Sequence, residues 1–419
     1  MPPLLQLPPL AAPSASTPSA TPSSSDPSSA EEAGEVLTMS CLGSLGQFGN
    51  QIFQYAFLKL FSELRGASIV CPDWIGRRAF ALHDPLPPRE PRLRLPFVAD
   101  RVVLSHRGWR RWASEREPLA SLLRANGGKA LSGRALRRDF PQVSGDALSA
   151  EGARRLPRGS YDLCGWFQFH TSVWAAHTPR LRELFTPEPA LRAALEALLL
   201  RLRRGGEGRT SRSPLAVLHL RVAQTRGGEA RGEALHAGGG WVSEEWEDRY
   251  TFWCAPHEWF VRWVVAEAAA AAGGGLAVVI CSDCPHAAEH IASRLPSACC
   301  QLRWEDVKGS AEWQAVWEAW RAVFDGHACE PLLRLFLDWW VMTQADRLAI
   351  SNSTFSFTAA MLNAAGSQQR SVAERAPAFY RPVPEAGGLE SFDPWDSKPL
   401  LTCAPEHAKA LFGGAGSYS

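Results

Sequence analysis

Four short segments carry the residues best suited to chemistry. The first, GSLGQFGNQIFQYA at residues 43–56, spaces Gly43, Gly46 and Gly49 as GxxGxxG and follows them with Asn50 and a strongly apolar run. That spacing differs from the GxGxxG of the dinucleotide fingerprint. A helix starting there still offers free N–H groups and a positive dipole end, which suit a phosphate or a sugar hydroxyl. Asn50, with Gly49 beside it in the loop, is then a donor and acceptor at a cleft. Alternatively, the glycines only make a tight turn and Asn50 caps the helix. The second segment, PLAVLHLR at residues 214–221, ends in His219 and Arg221, alternate residues that face the same side of a sheet. Arg221 can grip two phosphate oxygens with its planar fork. In the plainer reading His219 is a satisfied core histidine and Arg221 pairs with a carboxylate.

The third segment, ICSDCPHAAEHI at residues 280–291, places Asp283 just after a strand. Its carboxylate can accept hydrogen bonds from a guanine N–H edge or from ribose hydroxyls, or it can cap the helix that opens near Pro285. Cys281 and Cys284 flank it, but no second pair completes a zinc set, although His286 and His290 follow. The fourth, ISNSTFSFTAAMLN at residues 350–363, runs from an apolar strand through a Ser/Thr cluster into an amphipathic run. Ser353 and Thr354 then sit where hydroxyls and backbone N–H groups converge, a site able to hold a diphosphate without a metal. Ordinary N-capping uses the same residues.

The surrounding patterns supply the elements that position these groups. Residues 36–42 read as a strand, followed by the glycine turn and a helix in which Ile52, Phe53, Ala56, Phe57, Leu60, Phe61 and Leu64 recur at i, i+3 and i+4. Gln51, Gln54, Lys59 and Glu63 fall outside that stripe. Gly66 stops the helix and residues 67–71 restart as a strand. A second α/β unit follows the charged, glycine-containing stretch 201–213, with strands predicted at 214–221, 276–282 and 346–352 and helices between them. Strand, turn, helix and strand in that order predict parallel α/β sheets. Residues 84–160 are Pro- and Arg-rich and only weakly periodic.

Composition narrows the function. The 419-residue chain has a formal charge of +1, so no global field marks nucleic acid or an anionic membrane as a partner. Its 10 cysteines follow no framework spacing and read as free thiols in a reducing compartment. No uninterrupted apolar run reaches the roughly 18–20 residues of a transmembrane helix. Residues 1–35 are rich in Pro, Ser and Ala and contain no Lys or Arg, so they are expected to be disordered and to lack the positive region of a secretory signal. The expected organisation is a tail at 1–35, an N-terminal unit at 36–205, a C-terminal unit at 206–365, and an extension at 366–419 that packs back on them.

Taken together in order, these blocks resemble the fucosyltransferase superfamily: the α-1,2- and α-1,6-fucosyltransferases and the protein O-fucosyltransferases. GSLGQFGNQIFQYA resembles the family's G-x-x-GNQ-x-FQYA block, and GWFQF with LRELFTP resembles its GYFQ…ELF block. HLR matches the start of H-x-R-R-G-D, DWWVMTQAD resembles DLxLMSxCD, and ISNSTFSFTAAMLN is close to ISNSTFSWWAAWLN. The resemblance implies a GT-B arrangement of two Rossmann-like domains facing a cleft, with the nucleotide held mainly by the second. It implies that Arg221 contacts the diphosphate, that His219 lies near the nucleotide, and that Asp283 recognises guanine or ribose. Ser353, Thr354 and Phe355 would line the phosphate and base pocket, while Asn50 approaches the sugar from the facing domain. It further implies metal-independent, inverting transfer from GDP-fucose to a glycan or protein hydroxyl, with no cofactor beyond the donor.

One departure stands out. Where the family has HxRRGD this chain has HLRVAQ, with Val222, Ala223 and Gln224 in place of Arg, Gly and Asp. Losing one charge-assisted contact weakens diphosphate binding by roughly 1.5–3 kcal/mol, and Arg226 lies close enough in sequence to compensate. The competing expectation is a degenerate transferase that binds GDP or a glycan without turnover. The absence of a signal or anchor in the sequence leads to a cytoplasmic expectation, against the Golgi location usual for such enzymes.

Overall fold

A computed structural model of the chain describes residues 34–43, 45–87, 97–99, 143–204, 213–221, 242–246, 249–271, 275–363, 378–404 and 406–407. The expected tail up to residue 33 lies outside them, as do Val222, Ala223, Gln224 and Arg226. Two α/β units make up the fold, as the sequence patterns predict.

In the first unit β1 (Val36–Thr38) leads through the glycine loop into α1 (Phe48–Arg65), then β2 (Ser68–Val70) and α2 (Ile75–Ala79). Later come β3 (Phe97–Ala99), α3 (Ala150–Arg155) and β4 (Tyr161–Cys164). The sheet order is β2-β1-β4-β3, and every pairing is parallel. Gly66 closes α1 as predicted, with φ 66° and its N–H turned back on the last-turn carbonyls. The apolar stripe of α1 faces the core, but Gln51 and Gln54 are buried too, contrary to the periodicity. The reason is hydrogen bonding: Gln54 Nε2 donates to the carbonyls of Leu45 (3.1 Å) and Gly165 (2.9 Å), so the amide ties two loops to the helix. Glu35, expected in the tail, is instead paired with Arg65, whose guanidinium also donates to the carbonyls of Ala153, Leu156 and Pro157.

The connection contains α4 (Thr178–Leu184) and α5 (Pro189–Arg204), so positions 201–204, read as linker, complete a helix. Leu191, Leu195, Leu198 and Leu202 form its buried stripe. In the second unit β5 (Leu215–Leu220) precedes an antiparallel pair, β6 (Val242–Trp246) and β7 (Arg249–Trp253). The chain continues with α6 (His257–Ala270), β8 (Leu276–Ser282), α7 (Pro285–Ala292), β9 (Cys299–Leu302) and α8 (Trp304–Val307). Then follow α9 (Ala311–Phe324), α10 (Glu330–Thr343), β10 (Arg347–Ala349) and α11 (Thr354–Leu362). Finally β11 (Ala378–Val383) and β12 (Gly388–Ser391) join the sheet edge.

The second sheet runs β12-β11-β10-β5-β8-β9, parallel except for the β11–β12 pair. Its central strands are buried on both faces, which explains their unbroken apolar runs. Val217, Val279 and Leu348 belong to one buried cluster, Leu218, Val278 and Ala349 to another. The first cluster crosses into the N-terminal unit. Phe48 sits at that crossing, with Trp339 edge-on at 5.3 Å, Phe336 at 6.3 Å and Phe80 at 6.2 Å. Burying one such ring contributes about 1.5–3 kcal/mol, and a well-placed aromatic pair about 0.5–1.5 kcal/mol more. Arg78 Nη1 adds a polar tie, donating to the Phe324 carbonyl at the end of α9 (3.1 Å). Among the described residues no helix is long and apolar enough to cross a membrane.

Candidate active site

The predicted residues gather where the N-terminus of α1 meets the carboxyl edge of the second sheet. Doubly wound sheets bind ligands at that edge. Two helix N-termini face each other there. A Cβ on Gly49 would lie 2.5 Å from the Phe355 nitrogen, so only glycine lets the first turns of α1 and α11 touch. Gly46 has φ 79° and its own Cβ would strike Asn50 and Trp166, both at under 3 Å. These glycines therefore serve close approach and loop shape.

Asn50 does not cap α1; Gln47 occupies that position, without a side-chain cap bond. Asn50 Oδ1 accepts from Thr354 Oγ1 in the second unit and from Gln168 Nε2 in the first, both at 2.7 Å. Its carbonyl is thus committed to joining the units, and Nδ2 is the end it can offer to a ligand. Gln168 lies in the GWFQF segment, whose pattern alone gives no sign of this contact. It follows Phe167, a buried residue at φ 52° whose ring stacks on Phe57 at 4.3 Å. A bulky residue with positive φ is uncommon and strained; here it turns the chain so that the next side chain reaches Asn50.

On the second unit His219 and Cys281 are register partners in β5 and β8. His219 is buried at 5 % exposure, its ring lies 5.4 Å from that of Phe355, and its Nδ1 has no partner among the described residues. Burial, with the Arg221 charge second, lowers its pKa to about 3, so the imidazole is neutral. It is neither exposed nor the satisfied core histidine of the plainer reading. Ser351 Oγ donates to the His219 carbonyl (2.6 Å) and accepts from the Arg221 N–H (2.7 Å), fixing how the chain leaves β5.

Arg221 is half-exposed and engaged through Nη1: Asp283 Oδ2 lies 2.9 Å away and Gln47 Oε1, from the facing unit, 3.3 Å. The ion-pair alternative for Arg221 is therefore realised, with Asp283 as the carboxylate. Ser353 caps α11, accepting from Phe355 N–H at 3.4 Å, so its capping role is realised as well. Asn352 serves the fold by exchanging two hydrogen bonds with the Leu401 backbone (2.8 and 2.9 Å).

Asp338 was missed by the sequence reading, though it opens the DWWVMTQAD block. It lies on α10 over Cys281, whose thiol donates to the Asp338 carbonyl at 3.8 Å, while Trp304 Nε1 donates to Oδ1 at 2.8 Å. Burial pushes its carboxyl up to about 6, against the opposing pull of Trp304 and Arg334. A carboxylate inside an apolar helix face was the signal available in the sequence.

No family model matches the chain, and neither does any curated protein. Among solved structures it is similar to the NodZ α-1,6-fucosyltransferase soaked with GDP-fucose, at 13 % identity and TM-score 0.42 over 86 % of this chain and 99 % of that one. Fucosyltransferase NodZ from Bradyrhizobium gives 13 % identity and TM-score 0.42 over 86 % and 98 %. A FUT1 variant of Arabidopsis thaliana in complex with GDP gives 12 % identity and TM-score 0.40 over 84 % and 71 %.

Proposed function

We propose that this chain is an inverting glycosyltransferase that moves fucose from GDP-fucose to a hydroxyl of a glycan or protein acceptor. The observation that carries the reading is the neutral, buried His219, with an unpartnered Nδ1, beside Arg221 and beneath two facing helix N-termini. A buried polar group without a partner costs about 1–3 kcal/mol, which a ligand's hydrogen bond relieves. The N-termini and Arg221 supply positive potential at the same place, and a diphosphate matches all of them. The motif blocks that resemble the fucosyltransferase superfamily supply the remainder of the reading.

In this mechanism the acceptor oxygen attacks the anomeric carbon from the face opposite the departing GDP. The bond from that carbon to the diphosphate oxygen breaks, its electron pair leaves with GDP, and the acceptor proton passes to a base. Negative charge grows on the diphosphate, where Arg221 and the start of α11 stabilise it. Asn50 Nδ2 approaches the sugar from the first unit.

Calorimetric titration with GDP, GDP-fucose and GDP-mannose tests the donor. Binding of none at millimolar concentration refutes the proposal. The competing reading, a GDP-binding chain without turnover, is favoured by HLRVAQ, which keeps one of the two motif arginines. It prevails if GDP-fucose binds yet neither hydrolysis nor transfer to an acceptor panel is seen.

A further inference from the structure

We propose that Asp283 and Gln47 are positioning residues that aim Arg221 at the diphosphate and do not themselves touch the nucleoside; the inference rests on the nucleotide reading above. Both partners meet the same nitrogen, Nη1, at 2.9 and 3.3 Å. Among the described residues Nε and Nη2 make no hydrogen bond, so one two-pronged edge of the guanidinium is left for a phosphate. A guanidinium binds an oxyanion best through two parallel N–H bonds, which requires its plane to be set beforehand. A flexible arginine lacking such partners loses side-chain freedom on binding, which weakens the contact.

The two partners also come from opposite sides of the site. Asp283 follows β8 in the second unit, whereas Gln47 is the N-cap residue of α1 in the first. The guanidinium is therefore braced from both walls, and the wall carrying Asn50 takes part in orienting the arginine. This assignment differs from the guanine or ribose contact that the family resemblance implies for Asp283. A carboxylate 2.9 Å from a guanidinium has its strongest acceptor direction occupied.

The test compares GDP, guanosine and inorganic pyrophosphate on the full chain and on Asp283→Ala, Asp283→Asn and Gln47→Ala, with thermal melts to establish folding. Asp283→Ala is expected to weaken GDP and pyrophosphate at least tenfold and leave guanosine unchanged. Asp283→Asn, which keeps the acceptor oxygen, should stay within threefold of wild type, and Gln47→Ala should lose two- to fivefold on the same two ligands. A parallel loss of guanosine affinity would place Asp283 on the nucleoside and overturn the proposal. A gain in GDP affinity in Asp283→Ala would overturn it differently, by showing that Asp283 competes for the arginine. If Asp283→Ala does not fold, Gln47→Ala carries the decision alone. A wild-type chain that binds no GDP sinks the parent reading, whereas GDP binding indifferent to all three substitutions sinks only the positioning role.

Discussion

Thr354 Oγ1 donates to Asn50 Oδ1 at 2.7 Å across the boundary between the two units, and Gln168 donates to the same oxygen from the other side. One amide thus holds two donors from different parts of the chain. Asn50→Ala should cost about 1–3 kcal/mol by leaving both donors without an acceptor, measured as a lower urea midpoint. Asn50→Asp keeps the acceptor and should retain most stability, but it places negative charge beside the proposed phosphate site, so GDP affinity should fall.

Gly49 offers a steric prediction. A methyl group there meets the Phe355 backbone at 2.5 Å, and backbone has no rotamer by which to retreat. Gly49→Ala should force α1 and α11 apart and destabilise the chain by about 1–3 kcal/mol, seen as a lower melting temperature. An unchanged melt would mean that the two helix ends do not touch.

Arg221→Ala should weaken GDP at least tenfold in a calorimetric titration. Its side chain is partly exposed and its ion pair with Asp283 contributes modestly to stability, so the melt should move little. Unchanged GDP affinity with the fold intact removes Arg221 from the phosphate site.

His219 predicts an acid dependence. Its folded pKa of about 3 lies below the ordinary 6.5, so between those values the unfolded chain binds the extra proton. The stabilising contribution is present above pH 6.5 and is lost as pH falls toward 3, by at most about 1.4 kcal/mol per pH unit. His219→Gln should lack that acid slope, and urea unfolding at pH 5 and pH 7.5 would expose the difference. A bound nucleotide that protonates or engages Nδ1 would shift the transition, read by imidazole NMR.

Asp338 works in the opposite direction. Its folded pKa of about 6 lies above the ordinary 3.8, so its contribution is present below pH 3.8 and is lost as pH rises through 6. Asp338→Asn keeps the acceptor for Trp304 and should be more stable than wild type at pH 8, with the advantage gone at pH 4. An advantage equal at both pH values would show that the carboxyl titrates normally.

The sequence showed most of the fold where one period dominated. The stripe from Ile52 to Leu64 predicted α1, Gly66 its end, and the apolar runs at 215–220 and 276–282 the central strands. It failed where a side chain's role depends on distant backbone. Gln54 reads as solvent-facing because its partners, the carbonyls of Leu45 and Gly165, are joined to it only by the fold. Gln47 was overlooked for the same reason: neither pattern nor spacing shows that it reaches Arg221. The convergence of His219, Arg221, Asp283 and Ser353 was legible because each ends a strand of the same sheet.

The aromatic core around Phe48 also bears on heredity. Phe48, Phe80, Phe336 and Trp339 pack one another with rings from both units, so the seam is apolar around these rings. Such halves cannot be recombined freely with those of another chain of this fold, since a new partner would have to match the ring contacts one by one. Change would then arise in loops at the rim, while the seam descends as a single inherited piece.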